Sequence, residues 1–182
     1  MPSIFTHAVA GACLAQVLAP ASHRRALTYV AAATAMLPDA DVIGLHFGIR
    51  YGDLLGHRGL THSLLFACLV ALIAIIPFWA GTGVSERFRI ALCIAVVTAS
   101  HGILDAFTNG GLGVAFFAPF DKTRYFFPVT PIEVAPLSAR TFFSERGLSV
   151  FSSELVWVWC PALLVAATAI VFRKRYSPVA AD

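Results

Sequence analysis

Long apolar runs separated by short polar segments dominate this chain and predict five helices. Apolar runs that contain few charges are typical of helices that enter or cross a membrane. The predicted helices cover residues 4–18, 24–37, 60–80, 88–107 and 155–172. The pattern therefore predicts an all-α fold, a polytopic membrane bundle of about five helices that forms one integral membrane domain over residues 1–182.

The first two predicted helices are short for a full crossing. At ~1.5 Å per residue they reach roughly 20–25 Å, against a ~30 Å hydrocarbon core, so they are expected to tilt little or to form a partly inserted hairpin. Ser22 suits the N-cap of the second helix and Pro38 marks its exit. The first six residues contain no Lys or Arg, so the first helix is predicted to be retained and not cleaved as a signal peptide.

A long segment, residues 109–153, separates the fourth and fifth predicted helices and is rich in Phe, Gly and Pro. Segments of this length inside a compact domain are commonly functional. We therefore predict an outer-side loop that acts as a lid or interfacial cap.

Basic residues predict the orientation. Three clusters, at residues 23–25, at Arg87 with Arg89 and at residues 173–175, fall on one side if the spans alternate. The positive-inside rule makes that side cytoplasmic, so the C-terminus is predicted to be cytoplasmic and the opposite helix ends to face outward.

Composition supports a membrane protein and excludes other classes. Hydrophobic residues make up 58% of the chain, charged residues 13%, and the mean hydropathy is +0.78. The net charge is +3, and membrane topology explains the positions of the basic residues better than nucleic-acid binding does. The chain has no long basic run, so nucleic acid is not expected as a partner. Four cysteines stand singly in apolar segments, which argues against a disulfide framework and a thiolate metal site. The oligomeric state has no signal in the sequence.

Polar residues at the predicted outer helix ends form the candidate metal site. His101 and Asp105 project from one helix face four residues apart, and ionisable groups at membrane depth cost roughly 2.5–3.5 kcal/mol each, so they call for a partner. The seven candidate ligands are His7, Asp39, Asp41, His57, His62, His101 and Asp105. Nitrogen and carboxylate ligands suit one or two divalent ions, with zinc first and manganese or iron as alternatives.

Each motif also has a structural interpretation. A lone His-x-x-x-Asp is more often structural than ligating, Asp-x-Asp after a proline is commonly a helix-terminating turn, and His62 could cap its own helix. His57 could simply be solvated. The hypothesis of a metal site therefore depends on the seven residues lying at one end of the bundle.

Depth indicates the substrate class. His101 precedes the outer helix end near Thr108 by seven positions, so it lies roughly 10 Å below that end, near the lipid headgroups. A membrane lipid is then both environment and predicted substrate. Arg58, Lys122 and Arg124 could bind an anionic headgroup or a developing oxyanion, or could merely snorkel. Asp39 and Asp41 would share ligand and general-base roles.

Several motifs resemble those of the YdjM family of predicted bacterial inner-membrane metal-dependent hydrolases. They are Thr6-His7, Leu37-Pro38-Asp39-Ala40-Asp41, the run from His57 to Ser63, the run from His101 to Asp105, and Pro119-Phe120 followed by the run from Arg124 to Pro128. The resemblance covers nearly the whole chain and implies a membrane-bound hydrolase. A fainter likeness links the ligand pattern to zinc-dependent phospholipase C, although the His and Glu that complete its three-zinc site are not evident downstream of Asp105.

Two functions follow as hypotheses. The first is a metal-dependent hydrolase that cleaves a phosphoester, or a carboxylic ester, of a lipid through metal-activated water. The alternative is a non-enzymatic metal-binding membrane protein, such as a transporter, sensor or structural partner. A serine nucleophile is disfavoured because the chain has no Gly-x-Ser-x-Gly elbow. Transport is disfavoured because the inner helix halves carry no polar path beyond His23 and Glu86.

Overall fold

Every regular element of the computed structural model is helical, which confirms the predicted fold class. The structure describes residues 1–176. Its α-helices are α1 (Ile4–Leu18), α2 (Arg24–Met36), α3 (Val42–His46), α4 (Leu64–Ala74), α5 (Val84–Ala106), α6 (Ala139–Phe142), α7 (Glu145–Glu154) and α8 (Cys160–Tyr176). Within that part of the chain, extended pairing is limited to two isolated bridges, Thr108 with Ile132 and Val114 with Tyr125.

Helix α1 has the predicted bounds and packs closely against α2. Ser3 caps its N-terminus by accepting a hydrogen bond from the Thr6 backbone amide. At Gly11 the two helices nearly touch, because an added Cβ would lie 2.6 Å from the Ala35 Cβ and 2.7 Å from the Ala31 carbonyl oxygen. Small residues at such contacts let helix backbones approach in a membrane.

The second helical segment is longer than predicted. A 3-10 turn, Leu37–Asp41, joins α2 to α3, so the helical stretch Ala21–His46 has 26 residues and could cross a membrane. Helix α2 itself ends at Met36, just before the predicted exit at Pro38, but the helical stretch that contains it is longer than the predicted short segment. Pro38 occupies the start of the 3-10 turn, where a missing backbone N–H is tolerated.

The third helix is shorter than predicted. Residues 60–80 divide into a 3-10 turn (Leu60–His62), α4 and a second 3-10 turn (Ile76–Phe78), and Ser63 caps α4 by accepting from the Phe66 amide at 3.1 Å. The apolar helix Leu64–Phe78 spans about 22 Å, less than a bilayer core, so its full crossing of the membrane stays a prediction.

Two predicted spans are confirmed and extended. Helix α5 has 23 residues, and α7, a π-helical turn (Leu155–Trp159) and α8 run together as Glu145–Tyr176, 32 residues long. Together with Ala21–His46 they are the three helices long and apolar enough to cross a membrane. Leu164 is 69% exposed and Phe172 is 62% exposed, so α8 presents apolar side chains outward, as a lipid-facing helix does.

The segment between α5 and α7 packs onto one end of the bundle. The Phe127 amide donates to Ala106 at 2.9 Å, the Leu64 amide to Phe116 at 3.0 Å, and the Ala115 amide to Arg58 at 3.0 Å. These bonds tie the segment to the start of α4 and the end of α5. It therefore covers the end of the bundle that carries the candidate ligands, and it also contains α6. Its role as a lid stays a prediction.

Helices α1, α2, α4 and α5 share the main apolar core, with Leu27, Ile90 and Val97 fully buried. The four cysteines are free; Cys13 and Cys93 are buried, which confirms core packing for these two, whereas the other two are exposed.

Candidate metal centre

Four of the seven predicted ligands converge on one point. Asp39, His62, His101 and Asp105 each offer a ligand atom within 4.8 Å of the other three, and all four side chains are buried. Asp39 comes from the 3-10 turn after α2 and His62 from the turn before α4, while His101 and Asp105 lie one turn apart near the end of α5. Three chain segments are therefore needed to assemble the group.

The two histidines face each other through their Nε2 atoms, which lie 3.0 Å apart. His101 Nδ1 donates to the Ala35 carbonyl at 2.7 Å, and because a carbonyl can only accept, the proton of a neutral His101 is on Nδ1. His62 Nδ1 lies 3.2 Å from Asp41 Oδ2, which also accepts. When both rings are neutral, as metal binding requires, both Nε2 lone pairs point at the same place.

The distances fit a single divalent ion. Two ligands of a tetrahedral zinc, each about 2.0–2.1 Å from it, are about 3.3 Å apart. His101 Nε2 lies 3.2 Å from Asp39 Oδ1 and 3.9 Å from Asp105 Oδ2, and His62 Nε2 lies 3.7 Å and 3.4 Å from the same two oxygens. A set of two nitrogens and two carboxylates suits zinc, manganese or iron.

Unsatisfied polar atoms point the same way. Neither carboxylate oxygen of Asp39 or Asp105 has a hydrogen-bond partner in the described structure, although all four are buried. Buried polar atoms are almost always hydrogen-bonded, and a buried carboxylate without a permanent positive partner is especially costly. Asp105 has Arg58 as such a partner, whereas Asp39 has only histidines beside it. A bound cation would compensate these oxygens, so they meet the requirement for a metal site.

A second group shares His62. Asp41 Oδ1 accepts from His57 Nδ1 at 2.7 Å, and Oδ2 faces His62 Nδ1 and accepts from Thr61 Oγ1 at 2.5 Å. Asp41, His57 and His62 could hold an ion of their own. In the geometry observed, however, Asp41 orients both imidazoles, the usual task of a carboxylate behind a metal-binding histidine.

The electrostatic field of the site favours positive charge. Burial lowers the pKa of His62, which lies in the turn before α4, but its interactions with the nearby carboxylates of Asp105, Asp39 and Asp41 outweigh burial and raise that pKa to about 10. Three carboxylates thus attract a proton to one imidazole, and a divalent cation would satisfy the same field.

His7 lies beside the four ligands without belonging to the tightest group. Its Nε2 is 3.4 Å from Asp105 Oδ1, and its ring stacks on His101 with centroids 3.6 Å apart. Neither ring nitrogen makes a hydrogen bond among the described residues. Helix α1 therefore brings a fifth candidate ligand, the third with a nitrogen donor, to the edge of the site.

Arg58 is fully buried against Asp105, with Nε 3.1 Å from Oδ2. Its other nitrogens donate to the Gly110 carbonyl and to Thr108 Oγ1, both at 2.8 Å. Its backbone φ is +63°, a conformation that non-glycine residues rarely adopt and that concentrates at functional sites. In this geometry Arg58 holds Asp105, and its predicted contact with substrate stays a prediction.

The other polar residues considered in the sequence analysis do not contact the four-ligand group. Arg124 donates to the backbone carbonyls of His57 and Asp53, which ties two loops together beside the site, and its catalytic role also stays a prediction. Lys122 is exposed, as is His46. His23 is 3.7 Å from Glu86 at the opposite end of the bundle.

Glu154 is a buried carboxylate that the sequence interpretation missed. It is fully buried at the end of α7 and accepts hydrogen bonds from Ser3 Oγ and Thr6 Oγ1, each at 2.7 Å, and from the Ser3 amide. Trp159 Nε1 donates to Thr6 Oγ1 at 2.7 Å. The sequence feature that could have indicated it is a single Glu directly before the last apolar run. This cluster fixes the N-terminus of α1 through Ser3 and Thr6, and Thr6 is the residue directly before His7.

An apolar cavity of about 350 Å³ reaches the site at Asp39. It lies between the start of α1 and the segment that contains α6. Its apolar wall includes Ile4, Phe5, Val42, Leu137, Phe142 and Phe143. The Asp39 carboxylate is thus shared between the candidate metal centre and a hydrophobic cavity.

Comparison with known proteins agrees with the motifs. A family model described as "YdjM inner membrane protein" matches residues 1–176. The chain belongs to the YdjM family. "Inner membrane protein YbcI" of Escherichia coli (strain K12) is 38% identical over 177 residues, which cover 96% of this chain and all of that relative. The predicted resemblance is therefore confirmed. No solved structure matches this YdjM-family chain.

Proposed function

We propose that this protein is a membrane-embedded metal-dependent hydrolase that cleaves a phosphoester, or less readily a carboxylic ester, of a membrane lipid. The observation that supports the proposal is that Asp39 both belongs to the four-ligand group and lines the apolar cavity. A lipid presents a polar ester next to long apolar chains, and this arrangement matches both parts. A water-soluble phosphoester would gain nothing from the apolar wall.

The proposed chemistry divides the work between the ion and the chain. A divalent ion supplies Lewis acidity and makes water nucleophilic near neutral pH. Asp41 has both oxygens engaged by His57, His62 and Thr61, so it acts by orienting the imidazoles. Asp39 has no such bonds and faces the cavity, so Asp39 is the better placed of the two carboxylates to accept a proton during attack.

The proposal includes a sidedness. The candidate ligands lie at one end of the helices, and Arg24, Arg89 and Arg173 lie at the other. By the positive-inside rule the arginine end is cytoplasmic, so the metal site faces the non-cytoplasmic side and α8 ends in the cytoplasm.

Metal content and turnover test the proposal together. The purified protein in nanodiscs is analysed for bound metals, and a panel of lipid phosphoesters and esters is assayed with and without chelator. We expect about one to two divalent ions per chain and activity that chelator removes. Asp39→Asn should lose turnover, whereas the exposed loop variant Asp121→Asn should retain it. Turnover that persists in chelator would exclude the metal-dependent mechanism.

A cavity variant tests the lipid part separately. Val42→Trp should fill part of the apolar cavity and raise KM for long-chain substrates much more than for a short-chain analogue. The matched control is Val84→Trp, at an exposed residue of α5 far from the cavity. An equal effect of Val42→Trp on both substrates would indicate that the substrate is not held by its chains.

A structural metal site is the second candidate function, and burial is the observation that favours it. The four ligands are at most 6% exposed, and a site closed by four protein ligands is typical of structural zinc. Bound metal that raises thermal stability, together with no turnover of any lipid ester in the panel, would favour this alternative.

A further inference from the structure

A second cavity lies at the end of the bundle opposite to the candidate metal centre. Its volume is about 740 Å³, and it lies between α1 and the chain that joins it to α2 on one side and α8 on the other. Along α5, Arg89 at this end is twelve residues from His101, or about 18 Å. The cavity is therefore separate from the proposed hydrolase site.

The walls of this cavity are apolar. Val17 and Leu18 of α1 face it from one side, and Leu164, Val165, Ala169 and Phe172 of α8 face it from the other. Since α8 is an outward-facing apolar helix, the cavity opens toward the hydrocarbon of the bilayer. A chain of methylene groups matches such a wall.

Three arginines stand on the rim of the cavity: Arg24, Arg89 and Arg173. Arg24 Nη2 donates to the Ala19 carbonyl at 3.1 Å, and Arg173 donates to the Gln16 carbonyl, so both bind neutral acceptors. In residues 1–176 none of the three forms an ion pair with a carboxylate. Glu86, the acidic residue nearby, contacts Ser22 and His23.

Like charges meet at this rim. Arg173 lies close enough to Arg24 for their charges to repel, and the buried Arg24 Nε has no hydrogen-bond partner in the described part of the chain. Guanidinium groups bind phosphate oxygens through paired hydrogen bonds, and basic pockets between membrane helices at one surface suit anionic headgroups. A bound phosphate would relieve the repulsion and satisfy the free donor.

We propose that this cavity binds one anionic phospholipid, with its phosphate among Arg24, Arg89 and Arg173 and one acyl chain between α1 and α8. The phospholipid is a resident ligand of the leaflet opposite to the metal centre. It joins the ends of α1, α2, α5 and α8, and α1, α2 and α5 carry or adjoin residues of the candidate metal centre at their other ends. The proposal does not depend on hydrolysis.

Native mass spectrometry of the purified full chain in neutral detergent tests the proposal. Phosphatidylglycerol and phosphatidylcholine with identical acyl chains are added in parallel. We expect one molecule of phosphatidylglycerol to bind with clear preference, and Arg24→Gln and Arg173→Gln each to weaken its binding roughly fivefold. Equal binding of the two lipids would overturn the proposal.

Matched controls separate the site from general surface charge. Arg25→Gln and Lys174→Gln remove the same charge at neighbouring exposed positions that do not line the cavity. These controls should bind phosphatidylglycerol like the unmodified chain. Losses as large as those of Arg24→Gln and Arg173→Gln would mean a diffuse electrostatic attraction and would overturn a defined site.

Two further arms test the acyl chain. Ala169→Phe, which leaves every arginine in place, should weaken binding, whereas Ala167→Phe on an exposed face of the same helix should not. Inorganic phosphate at the same concentration should neither stabilise the protein nor displace the lipid. Displacement by phosphate alone would show that the arginines bind a free anion, which would overturn the lipid assignment.

Discussion

His62 Nε2 and His101 Nε2 lie 3.0 Å apart while the Nδ1 atom of each ring faces an acceptor, Asp41 for His62 and the Ala35 carbonyl for His101. Two nitrogens at this distance in a buried site need either a proton on one ring, which makes the contact a hydrogen bond, or a bound cation between them. The flanking carboxylates of Asp39 and Asp105 add negative charge at the same point. This end of the bundle could therefore hold a metal ion, because its charges and its distances both suit positive charge.

Removing either facing histidine should abolish metal binding. His62→Ala and His101→Ala each delete one of two nitrogen ligands, so we expect metal content measured by elemental analysis to fall at least tenfold, with membrane insertion retained. His46→Ala, at an exposed histidine outside the site, should keep the full content. Metal retained at the normal ratio in both site variants would contradict the centre described above.

Asp41 should contribute less to metal affinity than Asp39. Because Asp41 orients His57 and His62 through their Nδ1 atoms, Asp41→Asn should weaken metal affinity by roughly 10–100-fold, the usual effect of losing such a partner. Asp39→Asn, which changes a direct ligand, should have the larger effect. Competition with a chromogenic chelator measures both. If Asp41→Asn removes one of two bound ions, Asp41 is instead a ligand of a second metal.

The α1–α2 contact should be sensitive to a single methyl group. Gly11→Ala places a Cβ 2.6 Å from the Ala35 Cβ, so we expect a loss of about 1–3 kcal/mol in the free energy of unfolding. Since the Ala35 carbonyl holds His101, metal affinity should fall as well. Gly52→Ala, whose new Cβ would meet only ordinary contact at 3.7 Å, is the control. Denaturant unfolding in micelles measures the difference, and equal stability of the two variants would contradict the close approach.

Glu154 should be a strong determinant of stability. It accepts two hydroxyl hydrogen bonds in a fully buried position, and hydrogen bonds to charged groups contribute about 1.5–3 kcal/mol. Glu154→Gln is therefore expected to lower the free energy of unfolding by about this amount. Glu133→Gln breaks a partly exposed pair with Arg146, which is worth about 0–1 kcal/mol. Thermal unfolding of the two variants compares them directly, and a smaller loss at Glu154 would refute the role.

Much of the fold was predictable because hydrophobic patterning is a local signal. The bounds of α1 match the prediction, and the spans at α5 and α8 are confirmed, since long apolar runs can be recognised one at a time. The errors lie where a 3-10 turn replaces regular helix. Helix α2 ends just before Pro38 as predicted, but a 3-10 turn and α3 continue the helical stretch beyond it, and the apolar run of residues 60–80 concealed two tight turns around α4.

The sequence by itself determined that this is an all-helical membrane protein of the YdjM family with His and Asp residues gathered at one end of its helices. Only the tertiary structure decided that Asp39, His62, His101 and Asp105 meet at one point, that Asp41 and Arg58 support them from behind, and that Glu154 anchors α1. The physical reason is that helix periodicity specifies the face on which a side chain lies, whereas a distance between two helices depends on their packing. Here that packing depends on contacts as small as the space at Gly11, which no local pattern encodes.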